Sequence, residues 1–105
     1  MTTLDRRLHA FRDDLADARL RGQVESPRFS EGVVEQVCVS VADVRRTPSP
    51  DSAVETQAMF GERVRVFEEH EGWCWVQLEA DGYVGYVERA ALSVLSMAAG
   101  ILSMQ

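Results

Sequence analysis

The sequence predicts a mainly β fold: a small closed barrel of five to six short strands carrying an N-terminal helical or irregular arm. Three observations lead there. Apolar and polar side chains alternate in short runs, the period of a half-buried strand. Tight-turn signals separate the runs, at His70-Glu71-Gly72 and Asp81-Gly82. Most of the aromatic side chains are concentrated between Thr56 and Val87.

The elements follow in order. Leu4, Leu8, Phe11 and Leu15 fall on one face of a helix, with Asp5, Asp13 and Asp14 able to cap or interrupt it and Gly22 to end it. The spacing predicts one helix or two short ones over 4–22; an irregular arm lying on the barrel over 14–21 is the alternative. Residues 24–32 form a turn-rich connector in which Phe29 asks for burial. From Val33 the texture is strand-like, with Val37, Val39 and Val41 alternating with polar or small neighbours. Pro48 and Pro50 mark a loop over 47–52. Glu55–Phe60 reads as a helical turn. Arg63–Glu68, Trp73–Leu78 and Tyr83–Val87 read as strands, and Ala90–Leu92 as a short helical turn.

This gives an arm over 1–32, a barrel over 33–92 and an apolar tail over 93–105. The tail carries no charge, so Val94, Leu95, Met97, Ile101 and Leu102 need burial as a final strand, as a packed helix, or against a partner. Self-association through 93–105 is one such outcome.

Charge narrows the function. Seventeen acidic and eleven basic side chains leave a formal net charge of −6, which argues against a nucleic-acid partner. The first twenty residues mix charges of both signs and lack the apolar core of a secretory signal. There is no apolar run long enough for a membrane span. The cytoplasm is the expected compartment, with Cys38 and Cys74 as buried free thiols.

The sequence offers little for catalysis. Cys38 lies between valines and Cys74 between tryptophans, neither of them a setting that makes a thiolate. No pair of Cys or His has metal-ligand spacing, and Glu68-Glu69-His70-Glu71 reads as a solvated hairpin tip. Gly82 and Gly85 belong to a hairpin and a strand rather than a phosphate loop. No cofactor, metal or catalytic residue is expected. What remains is a surface. Alternation puts Cys74, Val76 and Leu78 on one face and Trp73, Trp75 and Gln77 on the other. Either the arm covers the indoles through Leu8, Phe11 or Leu15, or they form a docking face for a ligand or neighbouring domain. Tyr83 and Tyr86 fall on opposite faces, so only one joins that surface.

The order GW-x-x-V, DGYVGYV and a short Ala-Ala-Leu turn resembles the closing half of bacterial SH3-like domains. With TQAMFGE, the upstream VADVRRTP and the leader LDRRLHAFRDDLADARLRGQV, it resembles the N-terminal SH3-like domain of NlpC-type cell-wall cysteine peptidases over roughly residues 4–92. These are γ-D-glutamyl-L-diamino-acid endopeptidases, similar to dipeptidyl-peptidase VI. In that family a separate papain-like domain with a DCSGL-like motif does the chemistry. These 105 residues contain no such motif. The resemblance therefore implies a non-catalytic accessory domain that helps position or restrict a peptidoglycan-derived peptide. Its partners would be the catalytic peptidase domain or a muropeptide-type ligand. It also implies that an acidic residue and a tyrosine read the peptide's free amine, with Glu62 and Tyr83 or Tyr86 the nearest matches. The uncharged tail departs from the family's linker. A stand-alone interaction module using Trp73, Trp75 and the tail is the competing expectation.

Overall fold

A computed structural model describes residues 4–95. Two short strands come first, β1 (Ala16–Asp17) and β2 (Phe29–Ser30), paired in parallel. Seven more follow: β3 (Val33–Val37), β4 (Val41–Arg45), β5 (Val54–Met59), β6 (Arg63–His70), β7 (Trp73–Leu78), β8 (Val84–Glu88) and β9 (Leu92–Val94). These form one sheet in the order β5-β4-β8-β7-β6-β3-β9.

The mainly β character holds, but the expected closed barrel of five to six strands does not. The seven-stranded sheet has two edges, β5 and β9, and no ladder joins them. The three-residue β9 pairs with β3 alone. Curvature nevertheless brings the inner face together, because side chains from every strand of this sheet share one cluster. Ala58 of edge strand β5 and Leu92 of edge strand β9 both belong to it, around Val44, Val64, Cys74, Val76 and Leu78. The ladder is open and the core is continuous. A 3-10 turn at Arg89–Ala91 stands where the short helical turn was expected.

Glu55–Phe60 is a correction: it is strand β5 rather than a helical turn, held by an antiparallel register with β4 from Val41↔Met59 to Arg45↔Val54. The helical form of the arm is another. No α-helix occurs among the described residues; residues 6–8 form a turn and 18–20 a 3-10 turn. Most helical stability in a protein comes from tertiary packing rather than propensity, and the backbone groups here bond outward instead. The Val84 amide donates to the Arg7 carbonyl (2.7 Å) and the Asp17 amide to the Ala10 carbonyl (2.8 Å). The Gln77 side-chain amide donates to the Leu8 carbonyl (3.0 Å).

The N-terminal segment thereby lies on the outer face of the sheet, where Ala10 and Leu15 pack with Phe67, Trp75 and Val84. Strand β6 contributes Phe67 to this face by plain alternation, opposite Val64 and Val66 of the inner cluster. A register shift then leaves Phe67 as the extra residue of a bulge, with Val66 facing Val76 and Glu68 facing Trp75 across β7. Phe67 and Glu68 therefore both lie on the Trp75 side, Phe67 in the outer cluster and Glu68 in its pair with Arg12. Strand β7 thus has apolar packing on both faces.

Ser93 and Val94, read in sequence as part of the tail, pair with Gln36 and Glu35 of β3. Val94, expected to be buried, stays 63% exposed, and Leu95 is half-buried; the expectations for Met97, Ile101 and Leu102 fall on 96–105, outside the described residues. Among those described, no helix is long and apolar enough to cross a membrane.

Candidate functional site

Strands β7 and β8 carry the aromatic residues singled out by sequence, and their register sets Trp75 opposite Tyr86. Trp75 is 4% exposed and packs on the Phe67 ring at 5.4 Å between centroids. Its other neighbour is charged: the Arg12 guanidinium lies 4.5 Å over the indole. The N-terminal segment does cover Trp75, through Leu15, Ala10 and Arg12. Of the three expected covers, Leu8 is exposed and Phe11 half-buried. Trp73, at the start of β7, keeps partial exposure.

Trp73, Trp75 and Tyr86 line one cleft of about 380 Å³, closed on its flanks by Arg12, Pro48 and Glu68 and rimmed by Asp14, His70 and Glu71. The strands supply the aromatic floor, and the 47–52 loop adds the proline. Arg12 organises the wall. It makes a bidentate contact with Asp14 (2.9 Å for each bond), an ion pair with Glu68 (2.7 Å) and a longer bond to the Tyr86 hydroxyl (3.3 Å). Burial works to lower the pKa of this guanidinium, but the bonds to Asp14, Glu68 and Tyr86 outweigh it and hold the charge. Arg12 in turn holds Asp14 below the usual carboxylate range. Arg28 adds a second cation to Asp14 and Glu68. The two arginines balance those two carboxylates. Glu71, whose side chain is 81% exposed, is the acidic group of the rim without an arginine partner among the described residues.

The other sequence-selected residues lie elsewhere. Glu62 sits in the β5–β6 turn, where its carboxylate accepts from the Met59 amide (2.7 Å). Tyr83 packs against the inner cluster, and its hydroxyl donates to Glu55 (3.1 Å). Burial, then that bond, pushes the phenol up. Tyr83 and Tyr86 pack on opposite faces of the sheet, and Tyr86 is the one that joins the tryptophans.

Both cysteines are free. Cys74 is fully buried, and desolvation pushes its thiol up to about 11. Cys38 corrects an expectation. It is exposed at the end of β3, with its Sγ 3.6 Å from the Ala90 carbonyl. Alternation along 36–41 breaks there as the chain turns into β4. Among the described residues, no cluster of three or more His, Cys, Asp or Glu side chains could hold a metal.

A larger depression, about 570 Å³, runs along the seam between the N-terminal segment and β7. Its polar groups are committed to the seam itself: Arg19 bonds Asp17 and Gln77, and Gln77 bonds the Leu8 and Gly82 carbonyls. It fastens the segment rather than presenting unused donors.

Sequence reasoning missed Arg12, Asp14 and Pro48. Their side chains join the aromatic cleft only because the segment and the loop fold back onto β7 and β8. The LDRRLHAFRDD run carried the charges, with no indication of which one would stack on an indole.

Residues 44–92 match the family model of the bacterial dipeptidyl-peptidase SH3 domain. The match supports an SH3-like domain from the end of β4 to the start of β9. It takes in Trp73, Trp75 and Tyr86 but not the segment that supplies Arg12. No curated protein matches the chain.

Proposed function

We propose that this chain is a non-catalytic SH3-like accessory domain of a peptidase acting on peptidoglycan-derived peptides. It positions or restricts the peptide for a papain-like catalytic domain. The observation that carries the reading is the aromatic cleft, whose Trp73, Tyr86 and exposed Glu71 lie in the matched segment. An aromatic floor beside an exposed carboxylate that no arginine engages among the described residues suits an ammonium group. A free peptide amine is such a group. The Cys74 thiol, buried and held protonated, supports a non-catalytic role. The proposed compartment is the cytoplasm, a reading supported by the two free thiols.

The test is a titration of the purified chain with L-Ala-γ-D-Glu-diamino acid tripeptide, read by tryptophan emission and calorimetry. The free-amine peptide should bind at least tenfold more tightly than its N-acetyl form, and Trp73→Ala should abolish that preference. Equal binding of both forms, or of neither, overturns the reading.

A second reading, a protein-interaction module, rests on a different feature. Val41 and Met59 pair across β4 and β5 and are both exposed, and Phe60 beside them is 70% exposed. This reading predicts that Phe60→Ser weakens partner capture and leaves peptide binding intact.

A further inference from the structure

Across Trp75 and Tyr86 from the aromatic cleft lies a second, smaller cleft of about 210 Å³. Four of the chain's eleven cationic side chains line it: Arg6, Arg7, Arg12 and Arg46. They face one carboxylate, that of Glu55. The lining thus runs against the net charge of −6, with Asp5, Asp13, Asp14 and Glu68 pairing three of the arginines from outside the cleft. Every cation in the sequence is arginine, whose planar fork matches a carboxylate in two-point contact.

The four are not equally committed. Arg12 is engaged by Asp14, Glu68 and Tyr86, and Arg7 is bidentate on Asp5. Arg6 and Arg46 each donate one side-chain hydrogen bond among the described residues, to Asp13 (3.1 Å) and Glu55 (3.0 Å). A guanidinium carries five N–H donors, so most of theirs face solvent or the cleft. Arg6 also lies 4.7 Å over the Phe11 ring, which orients its fork. Glu55 does not offer a matching acceptor. One of its oxygens takes Arg46 and the other the Tyr83 hydroxyl, and the Arg46 bond holds it below the usual carboxylate range.

We propose that this cleft is a carboxylate-binding site that takes the acidic side chain or terminal carboxylate of a short peptide. Arg6 and Arg46 supply the bonds, and Phe11 and Tyr86 pack the adjoining methylenes. The volume accommodates a carboxylate with a few carbons, below the range that encloses a whole drug-sized ligand. The site lies beyond the aromatic cleft and does not depend on how that cleft is used.

Nitrogen-15 NMR tests this with three probes: N-acetyl-glutamyl-alanine, its uncharged counterpart N-acetyl-glutaminyl-alanine amide, and inorganic phosphate. The acid should give saturable shifts at the Arg6 and Arg46 side chains and at the Val84 and Gly85 amides. The amide should bind at least tenfold more weakly. The Arg6→Gln, Arg46→Gln double variant should lose the saturable response. Should that variant fail to fold, the acid–amide contrast in the unaltered protein decides alone. Equal response to acid and amide, a uniform drift of all arginines, or saturation by phosphate without the acid overturns the proposal. Neither peptide carries a free amine, so failure of the aromatic-cleft reading leaves this result standing.

Discussion

At the scale of single residues, the two cysteines behave oppositely although the sequence presents them alike. Cys74 sits among Val76, Val64 and Leu78 in the inner cluster, and desolvation there raises its thiol from 9.0 to about 11. Below pH 9 the thiol is protonated in both folded and unfolded chains and costs nothing. Above it the unfolded chain ionises first, so stability falls from pH 9 to 11 and levels off once the folded thiol also ionises. A shift of this size corresponds to about 2–3 kcal/mol. Tyr83, also raised, adds loss of the same sign at higher pH. Urea midpoints measured from pH 8 to 11 should show the decline, and Cys74→Ala should flatten its first part. An unchanged slope in that variant would place the loss elsewhere. In sequence Cys38 and Cys74 present the same kind of buried thiol, because both lie among apolar neighbours. Only the turn after β3 distinguishes them.

At the scale of elements, strands were legible where alternation met a tight turn. The Arg63–Glu68, Trp73–Leu78 and Tyr83–Val87 runs all became strands of the sheet. Strand β5 was not legible, because Glu55, Thr56, Gln57 and Ala58 carry no apolar alternation; tertiary pairing with β4 sets their conformation. The N-terminal segment misled in the opposite way. Its apolar spacing is helical, yet its carbonyls at Arg7, Leu8 and Ala10 are taken by β8, β7 and β1. The site was half legible. The aromatic floor follows from strand period and turn position, whereas the Arg12 wall depends on a fold-back that no local pattern encodes. A buried ion pair joins two further elements. Arg89, in the turn after β8, donates two bonds to the Glu35 carboxylate of β3, and Glu35 is almost fully buried. That bond, ahead of the opposing effect of burial, raises the Arg89 pKa. Arg89→Gln leaves Glu35 as an uncompensated buried charge and should destabilise by about 3–5 kcal/mol in urea unfolding. A change below about 1 kcal/mol would mean that water reaches Glu35 freely.

At the scale of the whole molecule, the sheet separates two tasks. Its inner face is a conventional apolar core, and its outer face is shared between the N-terminal cover and two clefts. The clefts differ in sign: one pairs aromatic rings with an exposed acid, and the other collects arginines. Trp75 and Tyr86 form the wall between them. Strand β7 belongs to both halves, because Cys74, Val76 and Leu78 face the core and Trp75 faces the cover. That double role sets a one-way dependence. The cover rests on the sheet, but the sheet's inner core does not rest on the cover. Under native-state hydrogen exchange, the amides of residues 10–17 should open at low free energy while those of Cys74, Val76 and Leu78 open only with global unfolding. Exchange of both sets at one common rate would mean that cover and core form a single cooperative unit. If the order holds, this chain can lift its own lid without unfolding, and the indole beneath becomes a surface that exists only part of the time.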